Sequence, residues 1–547
     1  MERKSQEGRI GLNSEKRKIV IVGAGISGLT AAAYLSREKC NVLLIEKSDK
    51  SGGLLNSFDR EGFIFDVGPR SIENSGVIRP MLKNFGIDLE LLESPVSLGI
   101  EDRIINFFSM EQLDDYKQLL EYLYPESKKD IAEIIEVIKE ILKDMAILYG
   151  IDNPFILNIK ENKKFLVKEL LPWFLKFIFA IRRINRMQEP VESFLEKRSS
   201  NQSLVDIISQ HFFKNTPAFF ALGYFYVYTD YLYPKGGTGQ LPKAIEQKIV
   251  EWGGKILRET EITKVVPSEG KLYDARGNVY SYDNLIWSGD LKTLYSIIDL
   301  KNLSSTIVSN ILRQKEEFQS KRGGDSVFSV MIGVDEPPEK FKSISNAHLF
   351  YTPSRKGLGE THRSRLKLLI ENFEKTKKEE IFEWVEDYCR LTTYEISIPA
   401  LRDRSLAPEG KTGLVVSFLF EYDLIKKVEA AGWYDEFKRE VEDRILKTLG
   451  NSIYPGIEEK TLFRFSSTPL TIFRKAGSSE GGIVGWSYET PVPVVNNLRK
   501  MPASIKTPIP NVLQAGQWAY SPAGIPTSIL TGWLAAQNIA KTKQQNT

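Results

Sequence analysis

Three glycines and one acid carry the spacing of a nucleotide cradle. Gly23, Gly25 and Gly28 stand in G-x-G-x-x-G order within VGAGISG, and Glu46 follows about 20 residues later. Gly23 allows a tight turn, Gly25 lets the backbone approach a pyrophosphate, and Gly28 lets a helix pack closely on a strand. Ala24 and Ser27 complete the turn. A helix opening there offers its unpaired N–H groups and partial positive charge to phosphate oxygens. Glu46, followed by Lys47, is placed to accept hydrogen bonds from ribose hydroxyls. The flanking sequence supplies the elements that must position these groups: an apolar strand from Ile19 to Val22, an alanine-rich helix, and a second apolar strand from Val42 to Ile45. The whole strand–turn–helix–strand–acid unit points to a dinucleotide.

A second glycine pair, Gly52-Gly53 with Leu54, and the run FDREGFIFDVGPRS (58–71) indicate which one. A nicotinamide domain has no need of them, whereas the longer FAD requires a second backbone segment beside its diphosphate and ribityl chain. This run resembles the FAD flavoenzymes of the amine oxidase, protoporphyrinogen oxidase and phytoene desaturase superfamily. The resemblance implies that the glycine pair touches the diphosphate side, and that Gly68, Pro69, Arg70 and Ser71 lie near the flavin. It also implies that the backbone of Val265 holds the adenine. Residues 511–540, NVLQAGQWAYSPAGIPTSILTGWLAAQNIA, are similar to the C-terminal flavin segment of that superfamily. There a turn at Gly516 meets the ribityl chain, and a helix opening near Gly524, Ile525 and Pro526 faces the isoalloxazine, its dipole favouring the charge of reduced flavin. Gln517 stands where the superfamily usually has Asp, which keeps a hydrogen-bonding group and removes a charge.

With 547 residues, the chain suggests two or more domains, or one large two-lobed enzyme. Its 42% hydrophobic and 27% charged residues are a globular profile, and a net charge of +3 does not call for nucleic acid as a partner. Cys40 and Cys389 are the only cysteines and His211, His348 and His362 the only histidines, so neither a disulfide framework nor a protein-ligated metal is expected. The first 17 residues read as a loose polar tail without the apolar core of a signal peptide, so a cytoplasmic location is expected. The fold class expected is α/β. A Rossmann-like FAD-binding lobe (18–95, 226–300 and 480–547) would be interleaved with a mixed α+β substrate lobe (96–225 and 301–479).

The segments FYTPSRKGLGETHR (350–363), YEISIPALRDRSLAPEGKTGLVVSFLFEYDL (394–424) and TPLTIFRKAGSSEGGIVGW (468–486) resemble the phytoene desaturase and retinol saturase branch. That resemblance implies desaturation, saturation or isomerisation of a hydrophobic polyene or isoprenoid by hydride transfer at FAD. Polar candidates for acid–base help are Arg70, Glu360, His362, Glu395, Arg402 and Asp403. No second dinucleotide fingerprint is present, so electrons would pass to or from a quinone, oxygen or a protein carrier. The stretch 163–187 places Leu170, Trp173, Phe174, Phe177, Ile178 and Ile181 on one helical face, accompanied by Lys163, Lys164, Lys168, Lys176, Arg182, Arg183 and Arg186. It is too interrupted for the ~18 continuous apolar residues of a spanning helix. It suits a helix lying on an anionic bilayer, at the inner face of the membrane. The alternative is a helix packed into the substrate lobe. Three rival functions stay open: a protoporphyrinogen oxidase, an amine oxidase with its flavin-facing lysine and aromatic cage, and a lipid-binding protein that keeps FAD without catalysis.

Overall fold

Gly28 has no room for a side chain: a Cβ there would come within 1.9 Å of the Gly23 carbonyl oxygen. That close approach seats helix α1 (Ile26–Arg37) on strand β1 (Lys18–Val22) and leads directly into β2 (Asn41–Ile45). A computed structural model describes residues 17–157, 166–488 and 491–544. Nearly all of the N-terminal tail, and residues 163–165 of the basic stretch, lie outside the described residues.

Strands β1 and β2 join β3 (Lys255–Leu257), β4 (Asn284–Trp287) and β5 (Val512–Gln514) in a five-stranded sheet of order β3-β2-β1-β4-β5. Every pairing in it is parallel. Val20, Leu44 and Ile286 are fully buried, as expected where helices or other layers cover both faces of a parallel sheet. The remaining helices used below are α2 (Lys128–Tyr149), α3 (Leu171–Ile184), α4 (Ala218–Val227), α5 (Gln240–Glu251) and α6 (Ile525–Gln544). Helix α6 packs on α1 almost backbone to backbone, since a Cβ at Gly532 would lie 2.2 Å from the Ser27 carbonyl oxygen. Tyr34 and Trp533 meet edge-on at 4.7 Å across the same contact.

A second, seven-stranded sheet runs in the order 461–467, 326–334, 412–420, 394–397, 348–352, 96–100, 103–107. It is antiparallel except where 348–352 pairs with 96–100. Side chains alternate across it. Leu414, Val416 and Phe418 enter one core, while Val415 and Met331 pack on Phe63 and Phe65 from the other face. On that second face the register sets Ser329, Ser417, Glu395 and Phe350 in one cross-strand row. This is the polar surface that meets the 68–71 loop. A short strand, Tyr231–Pro234, lies between Ile72–Glu73 and Leu91–Glu93 and brings Tyr231 and Tyr233 beside that loop. The described residues between 110 and 227 are largely helical, as their periodicity predicts. Among the described residues no helix is long and apolar enough to cross a membrane.

Helix α3 departs from the expected stripe. After a π-helical turn at Leu166–Leu170, Trp173, Phe177 and Ile181 turn inward, while Leu171, Phe174, Leu175 and Phe179 are left more than half exposed. Trp173 Nε1 donates to the Ile147 carbonyl, and Arg183 forks onto Asp144 of α2. These anchors set the rotation of the helix, so the outward apolar face is not the one that spacing alone suggests.

Candidate functional site

The glycine turn has the shape of a cradle. Gly23 takes φ +98°, a conformation that favours glycine, and Gly25 caps α1 with extended backbone and no side-chain cap. A Cβ on Gly25 would meet nothing within 4 Å, in contrast to the crowding at Gly23 and Gly28. The space over the turn is therefore bounded by the uncapped N–H groups of α1, as a pyrophosphate requires. Gly52 closes one side: its N–H donates to the Ala24 carbonyl at 2.8 Å, and Gly53 follows at φ +59°. Glu46 ends β2 with Oε2 accepting from the Ala24 N–H (2.7 Å) and Oε1 from the Ser48 N–H (2.9 Å). Each oxygen keeps a second lone pair, enough to accept ribose hydroxyls. Ser27 Oγ meets Ser288 Oγ at the end of β4, and Lys47 reaches toward Gly477. Gly516, at φ +94°, donates its N–H to Thr531 Oγ1 of α6 at 2.9 Å, and Gln517 follows. The donor set and the open turn fit FAD.

Val265 is a correction. Its N–H donates to the Ile297 carbonyl (3.0 Å) and its carbonyl accepts from Asp299 N–H (2.8 Å), so the N–H is committed to neighbouring chain and cannot donate to an adenine.

The 66–71 segment is tied into both sheets by buried polar groups. A Cβ at Gly68 would fall 2.3 Å from the Leu54 carbonyl, so the loop runs close against Leu54, the residue after the second glycine pair. Arg70, 2% exposed, donates to the Asp66 carbonyl (2.8 Å) and to Ser329 and Ser417 on the sheet row. Asp66 accepts from Ser57 Oγ (2.7 Å), Tyr233 OH (2.8 Å), and Thr238 N–H and Oγ1 (both 2.9 Å). Ser71 Oγ meets His348 Nδ1 at 3.0 Å, and His348 Nε2 meets Glu395 Oε1 at 2.9 Å. Arg402 donates to Ser94 (2.8 Å) and Ser397 (3.0 Å) and stacks over Tyr233. Burial alone would raise the Glu395 carboxyl, but His348, Arg70 and Arg402 outweigh it and hold it below the ordinary carboxylate range. Burial pulls His348 down, so the imidazole is neutral near pH 7.

Two adjoining chambers open beside this network, sharing Phe220 and Tyr224 as walls. The first runs among Trp173, Phe177, Tyr149, Gly524 and Pro526, with Glu73 in its wall. The second ends at Glu395, Ser417 and His211. Of the sequence candidates, Arg70, Glu395 and Arg402 are thus brought together, and Gly524, Ile525 and Pro526 open α6 beside the first chamber. Asp403 lies next to them, accepting from the Gly236 N–H at 3.0 Å and capping Ser405. Glu360 and His362 are not part of the group, which corrects their candidacy. Glu360 is a surface residue paired with Arg363 and Ser364, and His362 packs on Tyr388.

Glu73, Asp66 and His348 were not singled out by sequence, although Glu73 and Asp66 flank the Gly-Pro-Arg-Ser run on either side. Burial pushes the Glu73 carboxyl up from 4.5 to about 7, opposed only in part by its own N–H and that of Ile525. Between those values the folded chain holds a proton that the unfolded chain has released, so stability falls as pH rises through the window. Glu73→Gln removes this titration. In urea denaturation of the flavin-free protein, the variant should gain up to about 3 kcal/mol over wild type between pH 4.5 and pH 8. An identical pH dependence in both proteins would contradict the raised carboxyl.

Fold and cradle together define an FAD-dependent oxidoreductase. The chain belongs to the flavin containing amine oxidoreductase family, whose model matches residues 26–540. Similar curated proteins include prolycopene isomerase 2 of an Oncidium hybrid cultivar, 22% identical over 96% of this chain and 84% of that protein. The all-trans-retinol 13,14-reductase of Danio rerio is 22% identical over 91% and 82% of the two chains. The 4,4'-diapophytoene desaturase of Staphylococcus aureus is 22% identical over 96% and 99%. Among solved structures, a putrescine oxidase variant is 14% identical with TM-score 0.60, covering 96% of this chain and 99% of that one. An oxidoreductase from Methanosarcina mazei is 14% identical with TM-score 0.58, covering 96% and 100%. These two likenesses are of fold.

Proposed function

We propose that this protein transfers hydride between FAD and a hydrophobic polyene or isoprenoid, desaturating, saturating or isomerising it at CH–CH bonds. The observation that carries the reading is the pair of adjoining chambers walled by Trp173, Phe177, Phe220, Tyr224 and Tyr228. Each methylene buried there contributes roughly 0.8 kcal/mol, so a long apolar chain suits the space. The names of the relatives, which specify prolycopene, all-trans-retinol and 4,4'-diapophytoene, support the same class. In this reading the cradle at Gly23, Ala24, Gly25, Ser27 and Gly28 holds the pyrophosphate, and Glu46 and Lys47 the ribose side. Gly52, Gly53, Leu54, Gly516 and Gln517 line the diphosphate and ribityl path, and Gly68–Ser71 with Gly524–Pro526 border the flavin. FAD supplies the hydride acceptor or donor when bound. The aromatic faces of Tyr224, Tyr228 and Tyr231 would favour positive charge developing on the chain. The Glu73 carboxyl, in the chamber wall, would exchange the accompanying proton. Electrons would leave or arrive through a quinone or protein carrier.

Stopped-flow mixing of the FAD-loaded protein with diapophytoene or prolycopene, and of the photoreduced protein with all-trans-retinol, tests this. Flavin bleaching or reoxidation by a polyene is expected. Reduction by primary amines, with no response to any polyene, would favour an amine oxidase instead.

The same reading places the enzyme on the inner surface of a membrane. Helix α3 offers Leu171, Phe174, Leu175 and Phe179 outward, next to the exposed cations Lys168, Lys176, Arg182 and Arg186, while Trp173 and Phe177 line the first chamber from its inner side. A helix with that division would lie in an anionic headgroup layer and border the substrate's entry. Phe174→Glu with Phe179→Glu should abolish co-sedimentation with anionic liposomes and leave flavin content intact. Retained sedimentation would exclude this face.

A further inference from the structure

Asp66 and Glu395 belong to one network and are held in opposite ways. Asp66 is fully buried, and four hydrogen bonds reach its carboxylate. Glu395 keeps a side chain 32% exposed in the wall of the second chamber, and among the described residues it accepts one hydrogen bond, from His348 to Oε1. Its Oε2 takes none and is not buried, so it opens on the chamber. The single bond ends a directed row. Arg402 Nε donates to Ser94 Oγ (2.8 Å), the Ser94 and Ser71 hydroxyls meet at 2.8 Å, Ser71 Oγ meets His348 Nδ1 (3.0 Å), and His348 Nε2 meets Glu395 Oε1 (2.9 Å). A guanidinium only donates and a carboxylate only accepts, which assigns every hydrogen in the row. Nε2 of the neutral imidazole carries its hydrogen, Ser71 donates to Nδ1, and Ser94 donates to Ser71. The three middle members are buried, so water does not interrupt them. Every dipole points from Arg402 toward Glu395, yet among the described residues no guanidinium or ammonium stands at ion-pair distance from that carboxylate.

Resting on the polyene reading above, we infer that Glu395 is a catalytic carboxylate that stabilises the positive charge left on the polyene when hydride departs, with His348 as the residue that positions it. When an allylic C–H bond breaks and its electron pair leaves with the hydrogen toward oxidised FAD, the carbon remains as a delocalised cation. The neighbouring carbon then gives its proton to Glu73, and the double bond forms. One hydride and one proton leave for each C=C made, and saturation runs the same steps in reverse. The resting polyene is neutral and gains little from an anion. The cation gains much, because the chamber around Glu395 is walled by Phe212, Phe350 and Tyr228, where charges are poorly screened. A group that acts only on developing charge raises the rate rather than the affinity. A carboxylate kept for structure alone would have both oxygens bonded, as Asp66 has.

The test is the stopped-flow rate of flavin reduction in the FAD-loaded protein by 4,4'-diapophytoene in liposomes or, should only the photoreduced protein respond, of reoxidation by all-trans-retinol. Glu395→Gln still accepts from His348 but carries no charge. Its rate at saturating polyene should fall roughly a hundredfold or more, the scale for losing one preorganised group at a site of developing charge. The half-saturating concentration should move less than about threefold. His348→Phe keeps a ring against Tyr231 and Phe350 and withdraws the donor, so Glu395 takes up a proton more readily. Its deficit relative to wild type should be deep near pH 6 and should close near pH 9. The other groups facing Glu395 keep their charge across that range: Arg70 and Arg402 stay cationic, and burial holds the Tyr224, Tyr228 and Tyr231 phenols above it. Glu73 titrates alike in both proteins. A Glu395→Gln rate within threefold of wild type overturns the assignment, as does a loss confined to the half-saturating concentration. If that variant loses flavin, His348→Phe decides, and a deficit equal at both ends of the pH range overturns the assignment. No response of the wild-type flavin to either polyene sinks the polyene reading itself, and the role of Glu395 with it.

Discussion

Gly25→Val should give a folded, colourless protein. Gly25 has φ −66° and ψ 175°, a region open to any L-residue, and a Cβ there meets nothing within 4 Å. The chain therefore tolerates the substitution. The cofactor does not, because the added isopropyl group stands where the pyrophosphate must approach the turn. FAD affinity should fall by roughly a thousandfold or more, about 4 kcal/mol. Circular dichroism and thermal unfolding of the flavin-free protein should stay near wild type. Gly28→Ala is the contrasting case: its Cβ would lie 1.9 Å from the Gly23 carbonyl, so there the fold itself should suffer. A yellow Gly25→Val protein with normal affinity would remove Gly25 from the cradle.

The second large effect is expected at Asp66. Its carboxylate is fully buried and takes four hydrogen bonds, from Ser57, Tyr233 and twice from Thr238. It also supplies negative charge beside the buried Arg70 and the half-buried Arg402. Asp66→Ala leaves those donors and two guanidinium groups with less compensation, and removing one member of a buried charged network costs about 3–5 kcal/mol. Equilibrium urea unfolding at pH 7 should show that loss as a lowered midpoint. A change below about 1 kcal/mol, the value of one ordinary hydrogen bond, would mean that water replaces the carboxylate readily.

Local pattern reveals one part of this molecule and hides another. The turn at Gly23–Gly28, the acid at Glu46 and the opening of α6 at Ile525 were legible because each job is done by neighbouring residues at fixed spacing. Glu395, His348, Ser329 and Ser417 come from four strands, 326–334, 348–352, 394–397 and 412–420, and meet only through the register between them. A single sequence does not contain that register. The polar serines inside otherwise apolar strands, SVFSVMIGV and TGLVVSFLF, were the available trace of it. GLGETHR drew attention to Glu360 and His362 because the residue types suit acid–base work, yet burial and partners, not types, decide such roles. For α3, periodicity found the apolar residues but not the rotation, which is set by Trp173 and Arg183 reaching for α2. Val265 shows the same limit at the backbone level, since its N–H is taken by a segment more than 30 residues away.

Strand β5 at the edge of the five-stranded sheet, and α6 against α1, give the protein an order of assembly. Ser27 and Gly532 touch in the folded chain but are separated by nearly the whole sequence. During translation β1, α1 and β2 leave the ribosome early, and the side of α1 that carries Ser27 and Tyr34 lacks its α6 cover until residues 525–540 appear. At bacterial or eukaryotic elongation rates of about 5–20 residues per second, that wait lasts on the order of half a minute or more. The nascent chain would spend it with that side exposed and a half-built turn, a natural client for a chaperone. Late closure also lets FAD enter before α6 docks, so FAD present during synthesis should load the protein more completely than FAD added to the folded apoprotein.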